Sequence, residues 1–268
     1  MKRKGYSVIV STVILSAVFI AATLIATYTA GYVIQMHSES IEFEQAKNTM
    51  ILLATDIEDI VLKPKSAAYV IFNSRAGGPS FDKNIGEMTI KIEGETNWIL
   101  AQNLQINLMK YRGGSLVGLS NVEYLRGDES KPLIVVGVSE PLGYIYTERS
   151  KNAAWIVLDY SRIRVVYNGI LSLFNVTTDS YENFNDVKII YINIVPGEFH
   201  GSGRIYAKVE NLGIIHQTSI FNPNPVPILK VSAFGKQETF SFSNLPNFDD
   251  SLKTIVTFLL INISISMI

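Results

Sequence analysis

The chain has 268 residues, 18% of them charged, with Lys+Arg 23 against Asp+Glu 24 and no cysteine. That balance excludes the clustered basic surface of a nucleic-acid binder, so no nucleic-acid partner is expected. The absence of Cys excludes disulfides, thiolate catalysis and Cys-ligated metals, and a mean hydropathy of +0.22 excludes a disordered chain.

Lys2, Arg3 and Lys4 precede a stretch from Gly5 to Ser38 that lacks Asp, Glu, Lys and Arg. About 20 apolar residues cross a bilayer as helix, and Val8–Met36 alone would run roughly 43 Å. A removable secretory signal has an apolar core of roughly 7–15 residues and a small-x-small end, and Tyr28-Thr29-Ala30 is a poor one. A retained membrane span is therefore expected. Its basic flank stays cytoplasmic and the C-terminal bulk lies outside. Ala17, Ala21, Ala22, Ala26 and Ala30 include pairs four apart, a spacing that lets helices approach closely but is also common in any membrane helix.

Beyond the span, Phe43, Ala46, Met50, Leu53, Ile57 and Ile60 recur at spacings of three and four among Glu39, Glu42, Glu44, Lys47, Asp56, Glu58 and Asp59. This is a narrow apolar seam on a polar helix. It would pack against the chain's own β region or against neighbouring copies. Lys63-Pro64 ends the helix, because proline disfavours helical backbone in the residue before it. Only Gly31 interrupts Tyr6–Leu62, so one continuous rod is expected.

The Lys2-Arg3-Lys4-Gly5 leader running into Tyr6-Ser7-Val8-Ile9-Val10 resembles the class III signal of archaeal type IV pilin-like proteins. The resemblance covers about the first 60 residues. It implies cleavage by a prepilin peptidase between Gly5 and Tyr6, with Arg3 and Lys4 as the basic part of the processing site. It also implies a homo-oligomeric filament whose core is the bundled helices, with the C-terminal domains facing outward. Val10 stands at the fifth mature position, where bacterial type IV pilins carry Glu; this departure fits the archaeal branch.

From about Ala67 the helical period gives way to short apolar runs bounded by turns. Strands are expected at Tyr69–Phe72, Met88–Ile92, Leu104–Leu108, Leu133–Val138, Gly143–Thr147, Trp155–Tyr160 and Ile163–Tyr167. Further strands are expected at Val187–Val195, Arg204–Asn211, Ile228–Phe234 and Thr239–Phe242. Arg112-Gly113-Gly114 reads as a turn into Ser115-Leu116-Val117, and Asn222–Pro227 as a stiff inter-strand loop. Thr254–Ile268 is uncharged but short for a membrane helix. Its alternation reads as a core strand, buried on both faces at its start and half-exposed at its end. The expected fold is α+β. A basic leader (1–5) precedes a long hydrophobic then amphipathic N-terminal helix (6–63), followed by an extracellular all-β sandwich domain (64–268).

The sequence carries no nucleophile elbow, phosphate loop or dinucleotide fingerprint, and no cofactor is expected. His37, His200 and His216 are isolated and make no zinc site by spacing. Asp179, Glu182 and Asp186 fall in an oxygen-rich stretch with Asn183 and Asn185, read as an ordinary polar loop without calcium-loop spacing. Asn175 and Asn262 fit the N-glycosylation acceptor pattern. These readings lead to a non-enzymatic cell-surface protein, a pilin-like filament subunit or pseudopilin. The alternative is a monomeric, single-pass anchored module for adhesion or carbohydrate binding.

Overall fold

The computed structural model describes residues 4–94, 98–119, 121–150, 153–176, 179–199 and 203–268, with side chains from Val10 onward. One helix, α1 (Lys4–Ile60), is 57 residues long and spans about 85 Å at 1.5 Å per residue. It stops short of Pro64, as expected. Its last carbonyls are capped from the β domain, where Asn211 Nδ2 donates to the carbonyls of Ile60 and Val61 at 3.0 and 2.8 Å.

The strands that follow are β1 (Ala67–Ser74), β2 (Gly78–Glu93), β3 (Trp98–Arg112), β4 (Glu123–Arg126), β5 (Ile134–Val136), β6 (Tyr144–Ser150) and β7 (Ala153–Asp159). After them come β8 (Ile163–Asn175), β9 (Ser180–Pro196), β10 (Gly203–Phe221), β11 (Ile228–Ala233), β12 (Lys236–Ser241) and β13 (Lys253–Met267). They form a six-stranded sheet, β1-β10-β13-β9-β8-β5, and a seven-stranded sheet, β12-β11-β2-β3-β7-β6-β4. Neighbours pair antiparallel except β13 with β9 and β5 with β8, which run parallel. The architecture is α+β, one long helix followed by a two-sheet β domain.

Adjacent residues on the central strands enter different cores. Leu108 and Met109 in β3, Ile156 and Val157 in β7, Tyr191 and Ile192 in β9, and Phe258 and Leu259 in β13 each divide this way. Burial on both faces makes these strands near-continuous apolar runs rather than alternating ones. One core is shared by both sheets and the second half of α1; the other lies between the sheets around Ile90, Val187, Leu229 and Phe258. The C-terminal segment is β13, buried on both faces from Thr254 to Val256, with Asn262, Ser264 and Ser266 half-buried farther on.

Two expectations need correction. The turn expected at Arg112-Gly113-Gly114 falls instead at Gly114–Val117, where Val117 donates its N–H to the Gly114 carbonyl at 3.2 Å and Leu116 gives its N–H to a helix carboxylate. Glu182 to Asp186 lie in β9 and not in a loop, since β8 and β9 extend as a hairpin as far as Asn175 and Ser180.

Candidate functional site

The feature with the most unusual chemistry is α1, which the β domain divides in two. From Val10 to Gln35 every residue is exposed, a length of about 39 Å as helix. An apolar window near the N-terminus of this helix has a mean hydropathy of 2.2 and none of it is buried. Leu15, Phe19, Ile20, Leu24 and Ile25 all face outward. A soluble monomer rarely exposes so large a contiguous apolar surface, and the segment is long and apolar enough to cross a membrane.

The second half does the opposite. Phe43, Ala46, Met50, Leu53, Ile57 and Ile60 are all buried in the core that α1 shares with the sheets. The seam therefore faces the chain's own β domain, which decides between the two partners the sequence left open. Ala54 joins it, bringing the backbone close enough for the Tyr160 hydroxyl to donate to the Ala54 carbonyl at 3.1 Å. Burial pushes the Tyr160 hydroxyl well above its ordinary pKa, so it stays a donor.

Three glutamates fix the helix against loops of the β domain. Glu39 is 5% exposed; its Oε2 accepts the Leu116 N–H at 2.7 Å and its Oε1 accepts Gln35 Nε2 at 2.9 Å. Glu42 Oε1 accepts the N–H groups of Arg75 and Gly77 at 3.1 and 3.0 Å, and Oε2 takes that of Ala76 at 3.1 Å. Glu58 pairs with Arg126 Nη2 at 2.7 Å and accepts the Leu142 and Gly143 N–H groups at 3.2 and 3.3 Å. Ionised acceptors make the stronger class of hydrogen bond. Lys47 adds a bridge to Glu123 at 2.7 Å.

The loop after β3 can approach this closely only because it is glycine. A Cβ on Gly113 would stand 2.8 Å from the Phe43 ring, and one on Gly114 would stand 2.3 Å from the Glu39 carboxylate. In sequence this pair reads as part of a turn and the glutamates as polar residues interspersed with the seam. No sequence signal marks these three glutamates, because they bond largely to backbone N–H groups of the β domain.

The other sequence candidates are scattered. Arg3 lies outside the described residues, and of Lys4, Gly5 and Tyr6 only the helical backbone is described. His37 and His216 are exposed and far apart in the chain, and His200 lies outside the described residues. Among the described residues no group of His, Asp and Glu could hold a metal ion. Glu182 accepts Asn175 Nδ2 at 2.7 Å and Asp186 accepts Asn168 Nδ2 at 2.8 Å, so both acids pair across the β8–β9 hairpin. Asn175 ends β8 near the hairpin tip, whereas Asn262 sits inside β13, half-buried and accepting Asn193 Nδ2 at 2.8 Å. Compared with known proteins, the chain matches no family model, no curated protein and no solved structure.

Proposed function

We propose that this chain is a structural cell-surface protein of the type IV pilin-like kind, anchored and then assembled through α1. The observation that carries the reading is the division of the helix. Its seam is used up inside the chain's own domain, while the apolar half from Val10 to Gln35 is exposed along its whole length. An exposed apolar helix continuous with one docked on a β domain suits two environments, a bilayer before assembly and a bundle of identical helices after it. The Lys2-Arg3-Lys4-Gly5 leader supplies the site for a prepilin peptidase, and the β domain faces outward from the membrane or the filament.

The test is the mature N-terminus. Sequencing protein from its native membrane should begin at Tyr6, and substituting Gly5 should leave the leader on and remove filaments seen by electron microscopy. A chain that begins at Met1 and stays monomeric in the membrane would overturn the filament reading in favour of a tethered binding module.

A further inference from the structure

Arginines with nothing to bind collect at one end of the β domain. Elsewhere Arg126 and Arg162 pair with Glu58 and Asp159, and Arg164 donates to the Glu140 carbonyl. Arg75, Arg112, Arg149 and Arg204 are all exposed, and none of their side chains has a hydrogen-bond or ion-pair partner among the described residues. All four surround α1 at the level where it leaves the domain. Arg75 follows β1 and gives its backbone N–H to Glu42, and Arg204 pairs with Asn73 across β1 and β10. Arg112 precedes Gly113, which lies against the Phe43 ring. Arg149 pairs with Ala154, whose carbonyl accepts the Gly113 N–H.

Arg75 and Arg204 also flank a pocket of about 440 Å³ between α1 and the β1–β10 pair. Ser38 and Gln45 from the helix and Asn73 from β1 line it with further groups that can donate. The Glu42 carboxylate is part of the lining, but its oxygens already accept the N–H groups of Arg75, Ala76 and Gly77 and the Tyr111 hydroxyl. Two guanidiniums without a partner and a carboxylate already saturated with donors make the pocket complementary to an anion. The guanidinium fork suits the oxygens of a phosphate.

The helix indicates where that phosphate comes from. Ile34, Ser38, Ile41 and Gln45 recur every three or four residues and so follow one face of α1, on which Ile34 and Ile41 are exposed. This face leads from the apolar half of the helix straight into the pocket. The uncharged stretch from Gly5 to Ser38 runs about 51 Å as helix, against about 40–45 Å for a bilayer with its headgroups. A span longer than the bilayer tilts to fit. With the basic leader at the inner surface, Glu39–Phe43 and the arginines level with them then stand at the outer one.

We infer that the pocket between Arg75 and Arg204 binds the phosphate headgroup of an anionic lipid in the leaflet on the β-domain side, with an acyl chain along the Ile34 face of α1. Arg112 and Arg149 lie outside the pocket and add only general attraction to the same surface. The inference rests on α1 spanning a membrane. It adds to that reading an off-axis contact that resists rotation of the β domain about the span.

The test takes the full chain in nanodiscs of phosphatidylcholine, whose choline neutralises its phosphate, with or without added phosphatidylglycerol. The readout is the melting temperature of the β domain. Phosphatidylglycerol should raise it by a few degrees, because a ligand of the folded state stabilises that state. Inorganic phosphate added to phosphatidylcholine discs should leave it unchanged. Arg75→Gln with Arg204→Gln should abolish the rise. Arg112→Gln with Arg149→Gln, the same change of charge at the same end, should keep most of it. If the first pair melts low in phosphatidylcholine alone, Arg75→Lys with Arg204→Lys should fold normally and show a reduced rise. Equal losses from the two glutamine pairs would reduce the effect to diffuse charge and overturn the pocket. A rise that survives substitution of both Arg75 and Arg204 would overturn it as well, and an equal rise with inorganic phosphate would put a free anion in place of the lipid. Release of the unsubstituted chain from vesicles by alkaline carbonate would sink the membrane reading itself, and the lipid site with it.

Discussion

The Tyr111 hydroxyl lies 2.9 Å from Glu42 Oε1 and 3.0 Å from the Asn73 carbonyl, so one proton serves an acceptor on the helix and another on the first strand. The same carboxylate collects the N–H groups of Arg75, Ala76 and Gly77. Glu42 thus joins α1, β1 and β3 at the level where the helix leaves the domain.

Replacing Glu42 with Ala leaves the Tyr111 hydroxyl only the Asn73 carbonyl and strands the partly buried Gly77 N–H, whereas Arg75 and Ala76 can turn to water. The expected loss is about 2–3 kcal/mol of domain stability, in the range for uncovering buried donors that had a charged acceptor. Tyr111→Phe removes one bond and should cost about 1 kcal/mol. Chemical denaturation of the full chain in detergent measures both.

The two halves of α1 should respond oppositely to truncation. Leu53 is fully buried in the helix-bearing core, and Leu53→Ala should destabilise by about 2–5 kcal/mol through lost burial and the cavity left behind. Leu24 projects away from the domain, and Leu24→Ala should leave the denaturation midpoint unchanged while weakening retention in vesicles. Equal midpoint losses at both positions would contradict the division of the helix.

How much of this was legible in sequence follows from what each residue touches. The seam was readable because Phe43 to Ile60 keeps a helical period, and only Ala54 escaped it. The strands were readable wherever apolar runs were continuous, but their ends were not. Ile163–Tyr167 was expected and β8 runs on to Asn175; Arg204–Asn211 was expected and β10 runs on to Phe221. Both extensions lack a neighbour on one side, so their exposed apolar residues follow no simple inside–outside alternation. Glu39, Glu42 and Glu58 could not be recognised because their partners are backbone groups, Leu116, Gly77 and Gly143 among them, which any sequence would supply.

Alkaline pH should expose the buried tyrosines. Burial first, with nearby acidic charge second in part, raises the hydroxyls of Tyr111, Tyr146, Tyr160 and Tyr191 above the ordinary value of 10.0. The unfolded chain then releases these protons at lower pH than the folded one. Above about pH 10 the folded state binds more protons, and stability falls as pH rises. The melting temperature should drop steeply past that point, with the phenolate absorbance of these residues appearing together with unfolding. Tyr146→Phe should flatten the alkaline slope. A phenolate signal fully developed in protein that is still folded would contradict the burial argument.

The two glycosylation sequons have different prospects. Asn262 lies within β13 between β9 and β10, and a glycan there would break its bond from Asn193 and intrude on paired strands. Asn175 ends β8 bonded to its cross-strand partner Glu182, so a glycan there would not lie between two paired strands as it would at Asn262. Mass spectrometry of protein from a glycosylating native membrane should find any glycan at Asn175 and none at Asn262.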